Sequence, residues 1–203
     1  MATPYRPIVS ALVLTLFVGG FGSAVHAQQV PQARDEPATK FERFLLSKGT
    51  VTVREYYDVG SLKGIGSAKL EVARAYTPGQ KDYFLALRIE VTESGRLSRE
   101  RVGTLDAEEV RSLASAIPQM SKMIEVLKQG QEAESTEVGF KGGSVQIGFF
   151  VSRLRSSGTN ESLFIRAGDI AAVTAYFELS EMGRLEALVN QAATKIGTLQ
   201  QGR

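Results

Sequence analysis

The 203-residue chain contains no cysteine and no tryptophan, and its single histidine is His26. Without cysteine there are no disulfide staples, no thiol nucleophile and no Cys/His zinc site. His26 lies in a leader expected to be cleaved off, so the mature protein would hold no imidazole. That excludes Ser-His-Asp and Cys-His catalysis. An excess of one charge is lacking too: 24 Lys and Arg stand against 22 Asp and Glu. A near-neutral surface offers no bulk attraction to nucleic acid or anionic lipid. Neither G-x-S-x-G nor S-x-x-K occurs after residue 27. Carboxylate, lysine or tyrosine chemistry and oxygen-only Ca²⁺ or Mg²⁺ sites are left. An enzyme is disfavoured, and no cofactor or metal is called for.

What is present begins with an address. Arg6 is the only charged residue of 1–27; an apolar run from Ile8 to Val18 follows, then Gly19, Gly20 and Gly22, and Val25-His26-Ala27. A positive start, a short apolar run and a small-residue end describe a secretory signal, with cleavage between Ala27 and Gln28. The run is too short to span a bilayer, which takes ~20 residues. The expectation is an exported protein, periplasmic or extracellular, that meets the membrane only through its signal before cleavage. Residues 28–37, with Pro31 and Pro37, read as a flexible tether. Residues 38–203 read as one globular domain in two halves, 50–128 and 136–199.

Phe41, Phe44 and Leu45 have helical spacing over Lys40–Ser47. Period-two alternation then predicts strands at Thr50–Asp58, Ala68–Tyr76, from Tyr83 onward and at Leu97–Leu105. Gly60 to Ser67 reads as a flexible hairpin connection: it fails both phosphate-loop spacings, and no helix follows it. Thr77-Pro78-Gly79-Gln80 is a type II turn signal. Asp106 with Glu109 predicts a capped helix carrying Val110, Leu113, Ala114, Ile117, Ile124 and Leu127 on one stripe. Pro118 should kink or split it. After a polar linker at Gln129–Ser135 the plan repeats. Strands are expected at Thr136–Lys141, Ser144–Arg153, Ser162–Arg166 and Ala171–Leu179, with a Gly142-Gly143 hairpin turn. Ser180 should cap a last helix with Met182, Leu185, Leu188, Val189, Ala192 and Ile196 inward. The predicted class is α+β: two four-stranded antiparallel sheets, each followed by a packed helix.

Strand-into-helix junctions occur at Thr104-Leu105-Asp106-Ala107-Glu108-Glu109-Val110 and Phe177-Glu178-Leu179-Ser180-Glu181. With the twofold strand-strand-strand-strand-helix order, they resemble the group of single-stranded nucleic-acid-binding proteins that includes PC4, Pur-alpha and Whirly. The resemblance covers residues 50–199 by topology and carries no binding motif, so it implies the fold. It also implies single-stranded nucleic-acid binding as an alternative function, which a secretory signal argues against.

Four aromatic doublets fall in predicted strands, and alternation must send one ring of each to either face. Tyr57, Tyr83, Phe149 and Phe177 belong to the core faces. Tyr56, Phe84, Phe150 and Tyr176 then point outward with Arg54 and Arg88, a set able to stack on bases, sugars or a partner. The bland reading covers both faces with a second sheet, the N-terminal helix or a homodimer partner. Arg96, Arg99 and Arg101 read as charge protection of an edge strand. Glu90, Glu93, Glu108, Glu109, Glu137 and Asp169 leave a carboxylate-based hydrolase as a further alternative. The leading expectation is a non-catalytic module that binds a ligand or protein, or serves a structural role.

Overall fold

Alternating apolar residues close two antiparallel sheets in a computed structural model, which describes residues 38–129, 133–154 and 158–201. The signal segment 1–27 with its Ala27–Gln28 cleavage point, the tether 28–37 and the middle of the 129–135 linker lie outside the described residues.

The first sheet runs in sequence order: β1 (Val53–Gly64), β2 (Gly66–Tyr76), β3 (Tyr83–Thr92) and β4 (Glu100–Asp106). The second repeats it with β5 (Ser135–Gly142), β6 (Val145–Leu154), β7 (Gly158–Ala167) and β8 (Val173–Phe177). Helix α1 (Lys40–Leu45) precedes the first sheet, α2 (Ala107–Gln129) follows it, and α3 (Met182–Gln201) follows the second. The duplicated ββββα order of an α+β fold is therefore borne out.

One apolar core serves both halves. Leu70, Leu87 and Ile89 of the first sheet join Ile147, Phe149 and Leu163 of the second, with Leu113 and Ile117 of α2 and Leu185 and Val189 of α3. Helix α2 lies along β3, β4 and β5, whereas α3 lies along β1, β2 and β3. Each half thus buries apolar surface that it could not cover alone. The inner rings are those the alternation assigned: Phe149 and Phe177 are buried, and Tyr57 and Tyr83 pack against the same core.

Local differences from the sequence reading have physical causes. The Gly60–Ser67 stretch is ladder rather than a flexible connection, since β1 reaches Gly64 with a register shift between Asp58 and Gly60. Its glycines answer close approach: a Cβ on Gly64 would stand 2.4 Å from the Tyr176 carbonyl oxygen. There Ile65 pairs with Tyr176, each amide donating to the other's carbonyl (2.8 and 3.0 Å), and the hairpin tip covers part of the β8 edge. Helix α2 is not split at Pro118, because Leu113, Ile117, Met120 and Ile124 are buried on both sides of it. The β5–β6 turn sits one residue later than expected, on Gly143 (φ +46°) and Ser144, while Gly142 stays paired with Val145. Ser180 does not cap α3; it lies inside a 3₁₀ turn, Leu179–Glu181, and its hydroxyl donates to Glu178. The Thr77–Gln80 turn forms, with Gly79 at φ +82° and Gln80 N donating to Thr77 O at 3.1 Å.

Candidate functional site

The six outward candidates fall on two separate surfaces. Arg54, Tyr56, Phe84 and Arg88 lie on the outer face of the first sheet, and Phe150 and Tyr176 on that of the second.

Over part of the first face stands α1. Its Phe41 is buried against Ala73, Ala75 and Ala86, and its Phe44 stacks on Phe84 with ring centroids 4.6 Å apart. A polar hub holds this short helix in place. Thr39 Oγ1 accepts from Glu42 N at 3.0 Å, and the Asp106 carboxylate accepts from Lys40 N (2.8 Å) and Phe41 N (3.2 Å). Asp106 therefore caps α1 with its side chain, while its own amide donates to Glu109 Oε2 at 2.8 Å at the start of α2. Glu42 Oε1 accepts from Thr104 Oγ1 (2.8 Å) and Ser144 Oγ (2.7 Å), and Gly143 N donates to Glu109 Oε1 at 2.8 Å. The hub ties α1, β4, α2 and the β5–β6 turn together. Sequence reading missed it because its members come from three distant segments with no common spacing; only the Asp106–Glu109 pair was visible.

The rest of the first face is a charge ladder. Glu71 accepts from Arg88 at 2.5 Å and pairs with Lys69 at 2.6 Å, and Arg88 also reaches Glu90 at 2.7 Å. Burial pushes the Glu71 pKa up, but Lys69 and Arg88 together outweigh it and hold the carboxyl below its usual range. Tyr56 lies over the Arg88 guanidinium, 5.8 Å from ring centroid to Cζ. Arg54 is exposed on β1 opposite Ala75. Arg88 is thus matched by two carboxylates and offers no unbalanced cation to an anionic chain.

The second outer face differs. Among the described residues no helix stands over it as α1 stands over the first. Phe150 and Tyr176 meet edge to face with centroids 6.2 Å apart, and Tyr176 is 38% exposed. Between β6 and β8, Phe164 of β7 is buried, although it belongs to the outward set. It can lie flat because its β6 neighbour is Gly148: a Cβ there would meet Phe164 Cζ at 2.9 Å and the Val138 carbonyl oxygen at 2.4 Å. Gly139 continues this floor on β5. Arg166 sits over the Phe164 ring at 5.5 Å. Phe164 and Arg166 were missed as site residues, since no aromatic doublet marks that strand, and the pairing of Phe164 with Gly148 across strands is the signal that reveals them.

Glu93 is held low by Arg99, and Glu108 is held low by Lys40, to which it is hydrogen-bonded; a general acid needs the opposite shift. Glu137 accepts from Gln146 at 3.2 Å, and Asp169 pairs with Lys141 at 3.0 Å. No cluster of three potential metal ligands occurs among the described residues. No family model, no curated protein and no solved structure matches this chain.

Proposed function

We propose that this is an exported, non-catalytic binding module whose ligand or protein partner lies on the outer face of the second sheet. The observation that carries the reading is the Phe150–Tyr176 pair, set beside the Phe164 floor on a sheet face over which no described helix stands. Rings held on strands present apolar area with little conformational entropy to lose, the property of a preorganised binding surface. The exposed rim residues Ile65 and Tyr176 extend the apolar surface to the β8 edge.

The test is a thermal-shift screen of the purified protein against saccharides, carboxylic acids, phosphates and short peptides, run in parallel on Tyr176→Ala. Compounds that raise Tm in the parent but not in a folded Tyr176→Ala variant support the reading. A Tyr176→Ala variant that loses much of its stability, or hits that bind it undiminished, would show that the face packs rather than binds. Export is checked by N-terminal sequencing of the protein outside the cytoplasm, where Gln28 is the expected first residue.

A further inference from the structure

The two halves place an arginine at the same station, on the outer face of the third strand, and surround it differently. In the first sheet the cross-strand row from β1 to β4 is Asp58, Glu71, Arg88 and Thr104. In the second, from β5 to β8, it is Lys141, Gln146, Arg166 and Thr174. Arginine and threonine recur, but an ammonium and an amide replace the two carboxylates. Arg88 touches Glu71 of its row and Glu90 of its own strand. Arg166 touches no carboxylate among the described residues: its Nε donates to Thr174 Oγ1 at 3.2 Å and its Nη1 to Gln146 Oε1 at 3.0 Å. Neutral acceptors fix the guanidinium plane without cancelling its charge, and the other N–H groups of the fork have no partner among the described residues.

This arginine lines a cleft of about 270 Å³ with Lys141, Ser144, Gln146, Gly168 and Asp169, close to the ~300 Å³ at which small-molecule pockets begin. Lys141 reaches Asp169 at 3.0 Å, but the lysine is mostly and the aspartate nearly half in water, so that pair is weak and can give way to a ligand. Arg101 of β4 donates to Ile170 O at 3.0 Å and steadies the loop that forms one wall. The site's charge is therefore positive: two cations face one loosely held carboxylate.

We infer that this cleft recognises an oxyanion, the carboxylate or phosphate of an organic ligand whose ring or chain extends across the same sheet face toward Tyr176 and Phe150. The inference rests on the second-sheet face being the binding face and adds the charge its ligand must carry. Arg166 supplies a planar fork that matches two oxygens, and Lys141 adds an exposed ammonium.

The experiment is an NMR titration of the purified protein, following the Arg166 Nε–Hε signal and the backbone amides, with benzoate, phenyl phosphate and benzyl alcohol as probes. Benzoate or phenyl phosphate should move Arg166, Gln146 and Gly168 saturably, benzyl alcohol should leave Arg166 unmoved, and the tighter anion names the ligand class. Gln146→Glu installs the carboxylate of the first sheet beside Arg166, at the loss of the amide's bond to Glu137, and should weaken anion binding by on the order of tenfold or more. Lys141→Gln, a surface change that leaves the Arg166 contacts intact, should weaken it several-fold. Absence of any saturable Arg166 shift, or full affinity in Gln146→Glu, overturns the oxyanion site. If benzyl alcohol alone moves Phe150 and Tyr176, the oxyanion site fails while the binding face survives. If no probe moves either cluster, both readings fall.

Discussion

The two sheets share a core and a strand order, yet their outer faces end in opposite states. On the first, α1 lies over Ala73, Ala75, Phe84 and Ala86, and Lys69, Glu71, Arg88 and Glu90 satisfy one another. On the second, Phe150, Phe164 and Tyr176 line a face with no such helix among the described residues, and Arg166 is held by neutral groups. The difference teaches that a duplicated plan need not duplicate its chemistry. The helix that closes the first face belongs to neither repeat, and along one cross-strand row Glu71, which pairs with Arg88, gives way to Gln146, which holds Arg166 through a neutral oxygen.

Breaking the closed face should cost most. Phe41→Ala removes the ring that seats α1 and should lower stability by about 3 kcal/mol, measured by denaturant unfolding. Loss below ~1 kcal/mol would mean that α1 contributes little to closure. On the second sheet's outer face, Gly148→Ala drives a methyl into the Val138 carbonyl and the Phe164 ring. A cost of about 1–3 kcal/mol is expected from such overpacking, and an undisturbed Phe164 spectrum would contradict the floor described for that face.

Glu71→Gln sharpens the charge contrast. Its carboxyl titrates below the usual glutamate range when folded, so its stabilisation is present at neutral pH and disappears as pH falls from the ordinary glutamate pKa through the lowered folded value. The parent should exceed Glu71→Gln by about 1 kcal/mol at pH 7, since Lys69 is half in water, and the gap should close in acid. A gap that widened in acid would reverse the sign. Smallest of all, Tyr176→Ala should change stability by less than ~1 kcal/mol, while a comparable change at Phe84, stacked under Phe44, should cost more. Equal losses at the two positions would erase the distinction between a face covered by α1 and one over which no described helix stands.

Much of the fold was legible because burial imposes a period. Leu85, Leu87, Ile89 and Val91 alternate as they must on a half-buried strand, and Leu185, Val189, Ala192 and Ile196 repeat as a helix face must. The candidate site was legible in part. The doublets identified Phe150 and Tyr176 as outward rings and did the same for Phe84, but alternation tells only which side of a sheet a ring leaves. It does not tell what lies beyond. Glycine misled at Gly60–Ser67 because a residue without a side chain serves a loop and a close-packed ladder equally well.

The sequence by itself determined the duplicated strand-and-helix order, the inward stripes and the absence of thiol chemistry, because these follow from local periodicity and from residue types. Tertiary structure alone decided that α1 lies over the first sheet, that Asp106 caps a helix 66 positions before it in the chain, and that Arg88 meets two carboxylates while Arg166, among the described residues, meets none. Those outcomes depend on cross-strand register and on contacts between distant segments. No spacing along the chain encodes them, and only the folded sheet brings the partners within hydrogen-bonding reach.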